Sequence, residues 1–132
     1  MVGTGVPLDH FWDTCRVVPT VVIIDDSDDF LSSASGLLNE EGFLVVGCIA
    51  DPSKAVAEVR RLRPTVVLLD IQLPRSDGFD LAAELALIEP RPVVVLTSSR
   101  DATSYGELLR VAPVRGFIAK KELSGDALAT MV

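Results

Sequence analysis

Apolar residues follow two alternating rhythms along this chain. Five short apolar runs begin at Thr20 (TVVII), Phe43 (FLVVGCIA), Thr65 (TVVLL), Pro92 (PVVVL) and Gly116 (GFIA), with starts 22 to 27 positions apart. Three are almost unbroken Val, Ile and Leu, as expected of strands covered on both faces of a parallel sheet. Between the runs the spacing becomes helical. Phe30, Ala34 and Leu37 follow i, i+4, i+7, as do Leu81, Leu85 and Ile88, and Val56, Val59 and Leu62 do much the same.

The punctuation agrees with these elements. Gly42 is placed to close the first helix at C′. Asp51 before Pro52 reads as an N-cap followed by proline at N1. Pro64 and Pro90 end the second and third helices, and Ser124 caps a short last helix carrying Ala127, Leu128 and Met131. The fourth helix, near residues 103–110, is weakened by Gly106 inside it. Five strands alternating with five helices predict a doubly wound α/β fold with right-handed crossovers. Residues 1–18 stand outside this alternation, with Gly3, Gly5 and Pro7 and no sustained period. They read as an N-terminal extension before a domain over residues 19–132, with Phe11 and Trp12 as candidate anchors.

Composition narrows the function. The length of 132 residues suits one domain with one core. The net charge of -7 argues against a nucleic-acid binder or an anionic membrane as partner. No apolar run approaches the ~20 residues of a membrane helix. The N-terminus lacks the pattern of a signal peptide. Cys15 and Cys48 form no CxxC unit and read as reduced thiols, so a cytoplasmic protein is expected. His10 is the only histidine, which disfavours a His-rich zinc site and a Ser-His-Asp triad.

Doubly wound sheets bind ligands at the carboxyl ends of their strands. The first strand ends in Asp25 and Asp26, the third in Asp70, the fourth in Thr97 and Ser98, and the fifth in Lys120. Singly, each has an ordinary explanation as a cap, a turn residue or a solvated charge. Together they place three carboxylates, a hydroxyl and an ammonium on one edge. Two unit charges ~4 Å apart at an effective dielectric near 20 repel by about 4 kcal/mol. A hard cation such as Mg²⁺ relieves that repulsion through oxygen ligands. Beside a fixed lysine, such a cluster suits a phosphoryl group.

These residues carry a family resemblance. VVIIDDSDDF (21–30), LLDIQLPRSDGFD (68–80), VVVLTSS (93–99) and GFIAKKEL (116–123) resemble the motifs of bacterial response-regulator receiver domains, over residues 19–132. The resemblance implies a flavodoxin-like three-layer sandwich with strand order 2-1-3-4-5. It makes Asp70 the phosphoacceptor, and makes Asp25, Asp26, Asp70 and the backbone carbonyl of Gln72 the Mg²⁺ ligands. Thr97 then corresponds to the switch hydroxyl, Lys120 to the phosphoryl-pairing lysine, and Phe117 to an aromatic that turns inward on activation. Pro74 and Gly78 match the turn after the phosphorylated strand. Gln72 and Ser99 lie where the family tunes phosphoryl lifetime.

Lys121 follows Lys120 where many receivers carry proline, a feature shared with LuxR-type regulators, so no cis-proline is expected there. The implied partner is a sensor histidine kinase or phosphotransfer protein, and phosphorylation would change the face of helix 4, strand 5 and helix 5. A phosphorylation-dependent homodimer is one form of output. No substrate turnover beyond the domain's own phosphorylation and dephosphorylation is expected. With no effector segment before Val132, the chain reads as a stand-alone receiver or part of a longer regulator.

Three other readings compete. A haloacid-dehalogenase-type phosphatase needs an acid two residues past its nucleophile, where this chain has Gln72. A flavodoxin-like FMN binder needs a hydroxyl-rich loop where this chain has Asp25, Asp26, Ser27, Asp28 and Asp29. A phosphate-independent interaction module would not need the full set of site residues.

Overall fold

The structure is a computed structural model and describes residues 18–132. Strands β1 (Thr20–Ile24), β2 (Leu44–Ile49), β3 (Val66–Asp70), β4 (Val93–Ser98) and β5 (Gly116–Ala119) form one parallel sheet. Their order is β2-β1-β3-β4-β5, so the chain reverses direction across the sheet beside β1 and β3. Helices α1 (Asp28–Glu40), α2 (Ala55–Leu62), α3 (Gly78–Leu85), α4 (Glu107–Val111) and α5 (Gly125–Ala129) complete the predicted doubly wound α/β sandwich.

The central strands are hydrophobic throughout because both faces are covered. Val21, Ile23, Val66, Leu68 and Val95 pack with Leu31, Ala34, Leu38 and Leu128 of α1 and α5. Val22, Ile24, Val67, Leu69 and Leu96 face the other way, against Val59, Leu81 and Leu85 of α2 and α3. Alternate residues of one strand therefore belong to opposite cores. The edge strand β2 is less buried, and its register against β1 slips between Val21 and Val22.

Four boundaries differ in detail from the periodicity. The buried stripe of α1 is Leu31, Ala34 and Leu38, one step from Phe30 and Leu37, which are half-buried at its margin. Phe43 is buried just ahead of β2 rather than inside it. Helix α3 stops at Leu85, before Pro90, and Ile88 is buried through a turn in which its N–H donates to the Leu85 carbonyl. Gly106 splits the fourth helical region. A 3₁₀ turn at Ala102–Ser104 precedes it, its own φ is +51°, and α4 begins at Glu107. A left-handed glycine stops the run that the surrounding residues would otherwise continue.

The remaining punctuation is as expected. Gly42 has φ +101° just after α1. The Asp51 side chain accepts from the Ser53 N–H, and Ser124 Oγ accepts from the Ala127 N–H at 3.0 Å. A cis peptide bond precedes Pro90, far from Lys120 in the fold. The N-terminal extension, with His10, Phe11, Trp12 and Cys15, lies outside the described residues up to Val17. Cys48 lies exposed on β2. Among the described residues no helix is long and apolar enough to cross a membrane.

Candidate functional site

The carboxyl edge of the sheet gathers the acids. Just beyond β1, the Asp25 N–H donates to the Ile49 carbonyl at 3.0 Å, which extends the β1–β2 pairing by one residue. This holds the Asp25 carboxylate in the interior, at 0% exposure. Its Oδ1 accepts from the Ser27 N–H at 2.9 Å, and Ser27 Oγ in turn caps α1 by accepting from the Phe30 N–H at 3.2 Å. The chain thus turns outward immediately, leaving Asp26 exposed and Asp25 buried.

Asp70 is the last residue of β3 and sits in register with Thr97 of β4. It is buried, and its Oδ1 accepts from the Gln72 N–H at 3.2 Å. The following backbone is pinned on both sides: the Ile71 N–H donates to the Thr97 carbonyl, and the Gly78 N–H donates to the Ile71 carbonyl, both at 3.0 Å. Between them Gln72–Leu73 and Ser76–Asp77 form a two-residue hairpin. Its tip, Pro74 followed by Arg75 at φ +58°, has the residue order of a type II turn. A Cβ at Gly78 would lie 2.5 Å from Ile71 Cα and 2.6 Å from the Asp70 carbonyl oxygen. Glycine is therefore required where the hairpin folds back on the Asp70 backbone.

One oxygen from each of Asp25, Asp26 and Asp70 lies within 4.8 Å of the others. Lys120, at the end of β5, places Nζ 2.6 Å from Asp25 Oδ2 and 3.6 Å from Asp70 Oδ2. The same ammonium stands 4.5 Å from the centre of the Phe30 ring. Burial, reinforced by the Asp25 charge, pushes the Asp70 carboxyl up to about 6, while the Gln72 N–H and Lys120 pull the other way. Among the described residues, two buried side-chain oxygens lack a hydrogen bond, Asp25 Oδ2 and Thr97 Oγ1. Lys120 is at ion-pair distance from the first, so Thr97 Oγ1 is the atom with no partner of either kind. A buried hydroxyl without a partner costs about 1–3 kcal/mol, which marks a place where a ligand oxygen fits. The donor set, all oxygen and net anionic, fits a hard divalent cation.

A profile of the response regulator receiver domain family matches residues 21–132. This chain belongs to that family. The receiver domain is 37% identical over 108 residues to protein-glutamate methylesterase/protein-glutamine glutaminase 6 of Anaeromyxobacter dehalogenans, covering 81% of this chain but 31% of that protein. It is 30% identical over 122 residues to the transcriptional regulatory protein PdtaR of Mycobacterium tuberculosis, covering 85% of this chain and 60% of that one. The chain thus spans only part of the curated relatives it matches. Among solved structures, the signal receiver domain of the putative response regulator NarL from Mycobacterium tuberculosis superposes with a TM-score of 0.74 at 26% identity, covering 88% of this chain and 98% of that one.

The receiver fold brings Asp25, Asp26, Asp70 and Lys120 into one group, with Thr97 paired to Asp70 through the sheet. Phe117 lies apart from it, half-buried on β5 with its ring centre 6.1 Å from that of Tyr105. A cavity of about 780 Å³ opens beside the hairpin, lined by Asp51, Val56, Arg75 and Glu84 among others, and the three carboxylates do not line it. Sequence reasoning missed two neighbours of the site. Phe30 has the spacing of a core position and does pack against the core, but its ring also lies over Lys120 at the sheet edge. Tyr105 carries no distinguishing sequence signal beside Gly106. Its hydroxyl meets Ser98 Oγ at 2.6 Å.

Proposed function

We propose that Asp70 is the phosphoacceptor of a two-component switch. Three close carboxylates beside Lys120, with a buried and unpartnered Thr97 hydroxyl on the residue in register with Asp70, are the observation that carries this reading. An Asp70 carboxylate oxygen attacks the phosphorus of a phosphohistidine on a sensor kinase or phosphotransfer protein. The O–P bond forms as the N–P bond breaks, and the electron pair leaves with the imidazole. Asp25, Asp26, Asp70 and the Gln72 carbonyl would hold Mg²⁺, which when bound offsets negative charge on the phosphoryl and carboxylate oxygens. Lys120 meets the same charge from the β5 side. The Thr97 hydroxyl donates to a phosphoryl oxygen and gains the partner it lacks. Phe117 then exchanges its half-buried position for a deeper one, which reshapes the face of α4, β5 and α5. Such a group shifts the domain only by interacting differently with its two states.

No turnover of a separate substrate is expected of this domain. Calorimetry with Mg²⁺ and beryllofluoride, a phosphoryl mimic, tests the site. The expected result is beryllofluoride binding that requires Mg²⁺ and disappears in Asp70→Asn. Binding that persists in Asp70→Asn or without Mg²⁺ contradicts the assignment.

A further inference from the structure

Tyr105 is the only tyrosine of the chain. Its hydroxyl and Ser98 Oγ share a hydrogen bond of 2.6 Å. Ser98 is fully buried, and its Oγ also accepts from the Arg100 N–H at 3.0 Å. One buried oxygen therefore holds both ends of the loop that leaves β4. The Tyr105 ring stands between two others, 5.9 Å from Phe79 at an interplanar angle of 60° and 6.1 Å from Phe117 at 52°. Phe79 follows Gly78 at the start of α3, directly after the hairpin that Asp70 begins. Phe117 belongs to β5. Tyr105 thus touches the start of α3, the end of β4 and the edge strand at once.

Ser98 is the residue after Thr97. Both are strand residues whose backbone is held by pairing with β5, Thr97 opposite Ile118 and Ser98 opposite Ala119. Thr97 Oγ1 has no partner here, and a phosphoryl group on Asp70 would supply one. A movement of Thr97 toward that group passes through a single peptide unit to Ser98. Such a movement would stretch or break the Ser98–Tyr105 bond and free the ring beside Phe117 from its anchor.

We infer that Tyr105 is a positioning residue of the switch, and that its hydrogen bond to Ser98 holds the β4–α4 loop and the Phe117 side in the unphosphorylated arrangement. The inference rests on the phosphoacceptor reading above. It assigns the hydroxyl a role in the resting state that phosphorylation must overcome. Removing the hydroxyl alone therefore makes the active state easier to reach, and raises affinity for anything that selects that state. A hydrogen bond of ordinary net strength corresponds to about fivefold.

The test compares wild type, Tyr105→Phe, Ser98→Ala and the double variant, titrated with beryllofluoride at saturating Mg²⁺. Tyr105→Phe keeps the ring and its packing. Tyr105→Phe is expected to bind beryllofluoride about fivefold more tightly than wild type, Ser98→Ala, which also frees the Arg100 N–H, at least as tightly as Tyr105→Phe, and the double variant no more tightly than Ser98→Ala, because the bond between the two residues is already absent there. In wild type labelled with ¹³C at the tyrosine Cζ, the single resonance is expected to shift on saturation, and to start from the shifted position in Ser98→Ala. Wild-type affinity in Tyr105→Phe, additive effects in the double variant, or a Cζ resonance that ignores beryllofluoride overturns the inference while leaving the phosphoacceptor reading intact. Failure of wild type itself to bind beryllofluoride overturns both.

Discussion

At the scale of single residues, the site is a negotiation among charges held at the rim of an apolar sheet. Burial and the neighbouring Asp25 raise the Asp70 carboxyl to about 6. In an unfolded chain an aspartate titrates near 3.9. Between these values the native protein retains a proton that the unfolded chain has lost. Metal-free stability from this group is therefore present at low pH and is lost as pH rises from about 4 through about 6. Asp70→Asn removes the titration. Its metal-free melting temperature is expected to match wild type near pH 4 and to exceed it by roughly 5 °C or more at pH 7.5. A gap that shrinks with rising pH counts against the origin given for the shift.

Phe30 acts on the same group of charges from the other side. Its ring face holds the Lys120 ammonium at 4.5 Å while two carboxylates compete for it. A partly desolvated cation–π contact is worth about 1–2 kcal/mol. Phe30→Leu keeps an apolar side chain and removes the ring, and is expected to slow labelling of Asp70 by acetyl phosphate by about threefold or more. Phe30→Tyr is expected to restore the rate. Equal rates in all three proteins would leave the ring without a part in placing Lys120. Neither Phe30 nor Tyr105 stood out in the sequence. An apolar residue on a helix looks the same whether it fills a core or lies over a lysine 90 positions away.

At the scale of elements, strands were the most legible part. Fully buried β1, β3 and β4 need apolar residues on both faces, and the sequence has them almost without interruption. Helix ends were less legible, since they depend on tertiary contacts. Helix α3 yields at Leu85 so that Ile88 can be buried in the turn beyond it, and the proline alone did not locate that end. The hairpin after β3 shows the converse. Pro74 and Gly78 pointed to a turn through the family resemblance, but its purpose appears only when Gly78 is seen against the Ile71 backbone. Gly78→Ala would force the hairpin off Asp70 and is expected to cost about 1–3 kcal/mol by urea denaturation. It is also expected to weaken Mg²⁺–beryllofluoride binding beyond the loss of folded protein. Wild-type binding in a folded Gly78→Ala protein would show that the hairpin does not position Asp70.

At the scale of the whole molecule, the charge is arranged for one edge of the fold. The first 50 residues hold eight acids and one base, which accounts for the whole -7, and the rest of the chain is balanced. Four of those acids lie within residues 25–29, at the end of β1 and the start of α1. Asp70 arrives beside them from β3 and Lys120 from β5, 50 positions apart in the chain. The parallel sheet, reversing beside β1 and β3, brings them together at its carboxyl edge. The order of these residues along the chain was enough to place the constellation. That Lys120 lies nearer Asp25 than Asp70 while reaching both was not readable, because it depends on which carboxylate the β5 end approaches.

The account stands on Asp70 as the residue that takes the phosphoryl group. Intact-protein mass spectrometry after incubation with acetyl phosphate tests this most directly, with the labelled peptide identified at acidic pH. The expected result is one phosphoryl group, located on Asp70, formed with Mg²⁺ and absent with a chelator or in Asp70→Asn. A phosphoryl group on another residue, or undiminished labelling of Asp70→Asn, would contradict the account.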